Sequence, residues 1–144
     1  METAPILAPA AVLVLWSILV LLYLVTTRFA AFSKAGISLG SVPAGSQYAD
    51  VESDMPAKVN WVSHNYTHLM EQPTLFYAVV AVLALAGDTS SLSLGAAWVY
   101  TGSRIAHSVW QIFVNVVAVR VVLFTIGTVC LLILGINAVQ ITLL

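Results

Sequence analysis

His64, His68 and Glu71, in the stretch HNYTHLMEQPTLFYA (residues 64–78), stand at i, i+4 and i+7. On a helix that spacing gathers them on one face. Arg104, His107, Gln111 and Asn115 follow at i, i+3, i+7 and i+11 and share a face in the same way. Arg120 stands five residues further on. Imidazoles exchange protons near neutral pH, a carboxylate pairs with a cation, and guanidiniums hold anions. The same groups could instead serve only to fix helix register. His64, His68, Glu71 and His107 also have a spacing that would suit a metal. Three histidines are too few for diiron membrane oxidase chemistry, however, and no metal is assigned. The single cysteine, Cys130, lies in an apolar run, so it excludes an internal disulfide and reads as packing.

These groups sit in a chain that is otherwise apolar. Of its 144 residues, 60% are hydrophobic and 8% charged, with mean hydropathy +1.00. A soluble domain carries about 25% charged residues, so the bilayer must be the solvent. The net charge of −1 leaves no basic patch for nucleic acid. Four stretches of about 20 residues, the length that crosses a hydrocarbon core, imply an all-α integral membrane four-helix bundle running up-down-up-down. The spans are residues 5–27, 59–87, 92–114 and 121–143 of a single domain, 1–144. The first lacks a basic n-region and is too long for a signal h-region. It is read as a retained helix.

Asp88-Thr89-Ser90-Ser91 reads as the turn between spans two and three. Between spans three and four the sequence FVNVVAVR has neither Gly nor Pro, and Asn115 and Arg120 alone punctuate it. Arg28, Lys34 and Lys58 lie on the first connection and Arg120 on the third, whereas Glu2 and Asp88 mark the other side. The bias of basic residues toward the cytoplasm puts both termini on the non-cytoplasmic side. Asn65-Tyr66-Thr67 matches a glycosylation pattern but begins a cytoplasmic helix end, so the match is read as empty.

A count from the Asp88–Thr89 apex pairs the two polar stripes in depth. Glu71 lies about 17 residues before it and Arg104 about 15 after, which at 1.5 Å per residue differ by only about 3 Å. An interhelical Glu71–Arg104 ion pair is therefore expected, with His68 near His107 and His64 near Gln111. Pro73 removes a backbone donor two residues after Glu71 and is expected to kink span two beside this site. Arg120, at the start of span four, would either snorkel to the interface or reach into the cleft and stabilise an anion.

HNYTHLMEQPTLFYA followed by AAWVYTGSRIAHSVWQIFVNVVAVR resembles the MAPEG family, the membrane-associated proteins in eicosanoid and glutathione metabolism, in a bacterial-type version. The resemblance covers nearly the whole chain. It rests most on R-x-x-H-S in span three and E-x-P-x-x-F in span two. It implies a homotrimer in a bacterial inner (plasma) membrane, with sites between subunits near the cytoplasmic face. Relatives of this kind bind glutathione as cosubstrate, polarise its thiol and act on hydrophobic small molecules that enter from the membrane lipid. By position, Arg120 matches the thiol-activating arginine, and Glu71, Arg104 and His107 match residues lining or bracing the glutathione cleft; His64, His68 and Gln111 would help to position the peptide. Glutathione-using members typically carry R-x-x-x-N-x-x-E on span two, where this chain has His64, His68 and Glu71. Histidine cannot form arginine's bidentate carboxylate clamp. Two readings follow: a glutathione-dependent transferase or peroxidase-like enzyme, or a non-catalytic member that binds another amphipathic molecule or lipid, or acts as a trimeric scaffold. A transporter is the weakest option, because no pair of broken helices is visible.

Overall fold

Apolar stretches with few helix breakers form four helices in the computed structural model, which describes residues 4–38, 40 and 42–144. They are α1 (Leu7–Lys34), α2 (Ala57–Leu85), α3 (Ser91–Phe113) and α4 (Val117–Leu143). Glu2, used above for orientation, and positions 39 and 41 of the first connection lie outside the described residues. Each helix packs against two neighbours around the ring α1, α2, α4, α3, and α2 also meets α3 across the middle. Helices α1 and α4 take opposite corners.

The helix ends have local causes. α1 runs past the apolar stretch, through Arg28, and stops only near Gly36, at φ +70°. Charge marks where the apolar stretch ends; the helix itself continues until glycine supplies the left-handed turn. Between α2 and α3, Gly87 takes φ +73°, and Ser90 caps α3 by accepting from the backbone N–H groups of Leu92 and Ser93. Asn115, at φ 59°, performs the same task after α3. The N–H groups of Val114 and Asn115 both return to the Trp110 carbonyl, at 2.9 and 2.8 Å. α4 thus begins at Val117, four residues before the expected start of span four. α2 stays helical through Pro73, which is buried.

α1, α2 and α4 are each long and apolar enough to cross a membrane. α3, at 23 residues, is long enough as well, but its polar groups lower its hydropathy. They are hidden from the surroundings: Ser93, Thr101, Ser103, Arg104, His107, Ser108 and Gln111 are all buried. The outward faces are apolar instead, with Leu15, Leu22, Leu75, Val122 and Leu132 more than half exposed. This inside-out distribution suits hydrocarbon as the solvent.

Part of the first connection folds back on the bundle. Tyr48 donates to Asn60 Oδ1 at 2.6 Å, Asn60 donates to the Glu52 carbonyl, and the Arg28 guanidinium lies 3.8 Å from the Tyr48 ring centroid. Burial pushes the Tyr48 phenol above its ordinary pKa, with the Arg28 charge pulling the other way.

Candidate functional site

The buried face of α2 carries Val62, Asn65, Leu69, Pro73, Phe76, Val80 and Leu83, a 3–4 spacing that presents one stripe to the bundle. His68 lies one residue off that stripe and turns toward α4. Glu71 is two residues from both Leu69 and Pro73, a rotation of about 200° at 3.6 residues per turn. It therefore faces outward, with its side chain 59% exposed.

The expected Glu71–Arg104 ion pair does not form. Arg104 Nη2 donates to the backbone carbonyl of His68 at 3.0 Å, and Glu71 Oε2 meets His68 Nδ1 at 3.0 Å. The depth count placed the two residues at one level; the helical rotation put the carboxylate on the wrong side. Arg104 is 1% exposed. Its guanidinium carbon lies 5.6 Å from the Phe124 ring centroid on α4, and its Nε and Nη1 have no partner. Gly127 permits the close approach of α4 here: a Cβ at that position would sit 3.2 Å from Ser103 Oγ and 3.6 Å from Arg104 Cδ.

His68 is the meeting point. Its ring stands edge-on to His107, with centroids 6.2 Å apart, as the depth count expects. Arg120, inside the first turn of α4, extends Nη2 to His68 Nε2 at 3.3 Å and Nη1 to Asn115 Oδ1 at 2.9 Å. Of the two readings of Arg120, the one reaching into the bundle describes this geometry. Its Nε is buried without a partner. The N-terminal end of α4 adds partial positive charge beside it. Among the described residues the ion pairs are His64–Glu52 and His68–Glu71, so neither Arg104 nor Arg120 has a carboxylate against it.

His64 does not join this group. It contacts Glu52 of the first connection, at the rim. The residue that meets α3 at this level is Asn65, fully buried, whose Nδ2 donates to Ser108 Oγ at 2.8 Å; Gln111 is buried nearby on α3 with Oε1 unpartnered. With His64 turned away, the four residues whose spacing suited a metal do not converge.

A buried polar seam of this kind on an apolar four-helix bundle agrees with a family match. The model of the MAPEG family matches residues 6–140. The chain belongs to the MAPEG family. No curated protein and no solved structure matches it. Family membership makes it a multi-pass integral membrane protein.

Sequence reading missed two residues of this polar seam. Asn65 was seen only as part of a glycosylation pattern, although it lies three residues before His68 and four before Leu69, on the inward stripe. Gln72 donates to Thr128 Oγ1 on α4 at 2.9 Å and accepts a long bond from Tyr100 at 3.5 Å. A polar residue one position before Pro73, four after His68, was the available signal for it.

Proposed function

We propose that this MAPEG protein is a glutathione-dependent transferase or peroxidase-like enzyme acting on lipophilic electrophiles, with Arg120 stabilising the thiolate. One observation carries the reading: two guanidiniums converge on His68 within an apolar bundle, with no carboxylate among the described residues against either and three N–H-bearing nitrogens unanswered. Buried charge of one sign is costly in hydrocarbon, and an incoming anion relieves that cost. A free thiol resembles cysteine, with pKa about 8.5, and a facing guanidinium raises its thiolate fraction at neutral pH. Arg120 supplies that charge, held by Asn115. Arg104, His107 and Gln111 shape the buried wall, while His68 and Glu71 form the wall toward the exposed side. His64 stands at the rim.

The distribution of Lys and Arg supports a cytoplasmic placement of this half, in a bacterial inner membrane with both termini on the far side. The exposure of Glu71 on an apolar surface supports completion of the cleft by a second copy, in a homotrimer. The second reading, a member binding another amphipathic anion or lipid, is favoured by one observation: His64 is engaged with Glu52, so nothing at 64 or 68 clamps a peptide carboxylate as arginine would.

Titration of the detergent-purified protein with glutathione tests the choice. A saturable ultraviolet thiolate signal is expected, and Arg120→Ala should abolish it. Absence of binding at millimolar glutathione discards the enzyme reading and leaves the second.

A further inference from the structure

Resting on the thiolate reading above, we infer that His68, held through Nδ1 by Glu71, is the base that takes the thiol proton. An arginine that stabilises a thiolate cannot itself accept the proton, because guanidinium has donors and no acceptor. The proton passes either to bulk water or to a neighbouring base. Charged and titratable groups surround His68 from α2, α3 and α4. On its own helix, Glu71 is bound to Nδ1, and His64 is turned to Glu52. From α3, Arg104 donates to the His68 carbonyl, and His107 presents its ring at 6.2 Å. From α4, Arg120 donates to Nε2.

This arrangement sets the tautomer. A carboxylate only accepts, so Nδ1 carries the hydrogen; a guanidinium only donates, so Nε2 offers its lone pair. A carboxylate–imidazole line therefore ends in an acceptor nitrogen on which the thiolate-stabilising arginine rests at 3.3 Å. The Nε2 contact is also the weaker of the two that hold Arg120, 3.3 Å against 2.9 Å to Asn115. A sulfur can displace it while Asn115 keeps the guanidinium in place.

The step balances without any further reagent. The S–H bond breaks as an N–H bond forms at Nε2, leaving a thiolate beside Arg120 and an imidazolium between it and the Glu71 carboxylate. The thiolate then forms a carbon–sulfur bond with the electrophile, and the proton on Nε2 leaves with the displaced group. Where glutathione-using relatives carry asparagine at this position, that side chain has no basic nitrogen and cannot perform this transfer. Glu71 acts here as a positioning residue through His68.

The distinguishing quantity is the number of protons delivered to the buffer when glutathione binds as thiolate near neutral pH. It is measured by calorimetry in buffers of differing ionisation enthalpy, alongside the thiolate absorbance. With His68 as base, the wild-type protein shows the thiolate signal with well under one proton released per site. His68→Gln should release close to one proton for each thiolate that still forms, and turnover should fall about a hundredfold, the low end for loss of a general base. A full proton released by the wild type overturns the inference while leaving the thiolate reading intact. No thiolate in the wild type removes both. Should His68→Gln fail to fold, nitrogen-15 spectra of the ligand-free wild type settle the tautomer. Protonated Nδ1 with bare Nε2, altered in Glu71→Gln, is the supporting result, and a protonated Nε2 overturns the base role.

Discussion

The seam between α2 and α3 has two halves built on different principles. Toward the Asp88 turn it is a packed apolar contact: Phe76 stacks on Tyr100 with centroids 4.2 Å apart, and Val80, Leu83 and Ala97 are at most 1% exposed. Toward the first and third connections it holds Asn65, Arg104, His107, Ser108 and Gln111, also buried, but with Asn65 Oδ1, Gln111 Oε1 and two Arg104 nitrogens lacking partners. Both halves exclude the surroundings equally well. They differ in whether the buried groups are satisfied. In lipid an unsatisfied group gains nothing by facing outward, so a fold can tolerate such groups inward at modest relative cost. The apolar half supplies the packing; the polar half spends part of it on unmatched donors and acceptors. Pre-formed sites are made that way.

The largest effect expected from this contrast is on stability. Phe76→Ala should cost about 3 kcal/mol, the low end for removal of a buried phenylalanine, because unfolded helices stay in lipid and the transfer part shrinks while the cavity remains. Glutathione binding by the variant that does fold should be unchanged. Reversible unfolding in bicelles, followed by titration, measures both quantities. A loss of binding that outruns the loss of stability would mean that the two halves are coupled.

Arg104→Met reverses the pattern. The lost hydrogen bond to the His68 carbonyl is offset by removal of a buried cation with no counter-ion among the described residues, and methionine fills irregular space. Stability should move by no more than about 1 kcal/mol. Anion binding should weaken about tenfold, equivalent to roughly 1.4 kcal/mol. A large drop in stability with unchanged affinity would make Arg104 a register device.

How far the sequence disclosed this division depends on the residue. The four helices were legible because apolar length is a strong signal, and the Asp88 turn because Gly87 and Ser90 announce it. The end of α1 was not, since Arg28 looked like a boundary and is instead helical, donating to Ser63 on α2. The turn after α3 was obscured because Asn115 does the work of glycine. Within the site, relative depth could be counted, and His68 does meet His107. Rotation could not be fixed: polar residues at 64, 68 and 71 look like a stripe, yet the buried stripe is the one through Asn65 and Leu69. Only packing against α3 and α4 decides which neighbouring face turns inward. The pairing expected between Glu71 and Arg104 failed for that reason.

The smallest effect probes the polar half by its most complete interaction. Asn65→Ala removes the 2.8 Å bond to Ser108, both partners being fully buried. Hydrogen bonds between membrane helices average about 0.6 kcal/mol in double-mutant cycles, because the unfolded reference also finds partners in lipid. The loss expected for Asn65→Ala, corrected by a Ser108→Ala cycle, is of that size. Glutathione affinity should fall little, since Asn65 is hydrogen-bonded to neither Arg104 nor Arg120. A coupling above about 1.7 kcal/mol, the upper bound observed for such bonds, would make the polar seam a structural clamp. The unmatched donors of the two arginines would then be by-products of that clamp, and no anion would be needed to explain them.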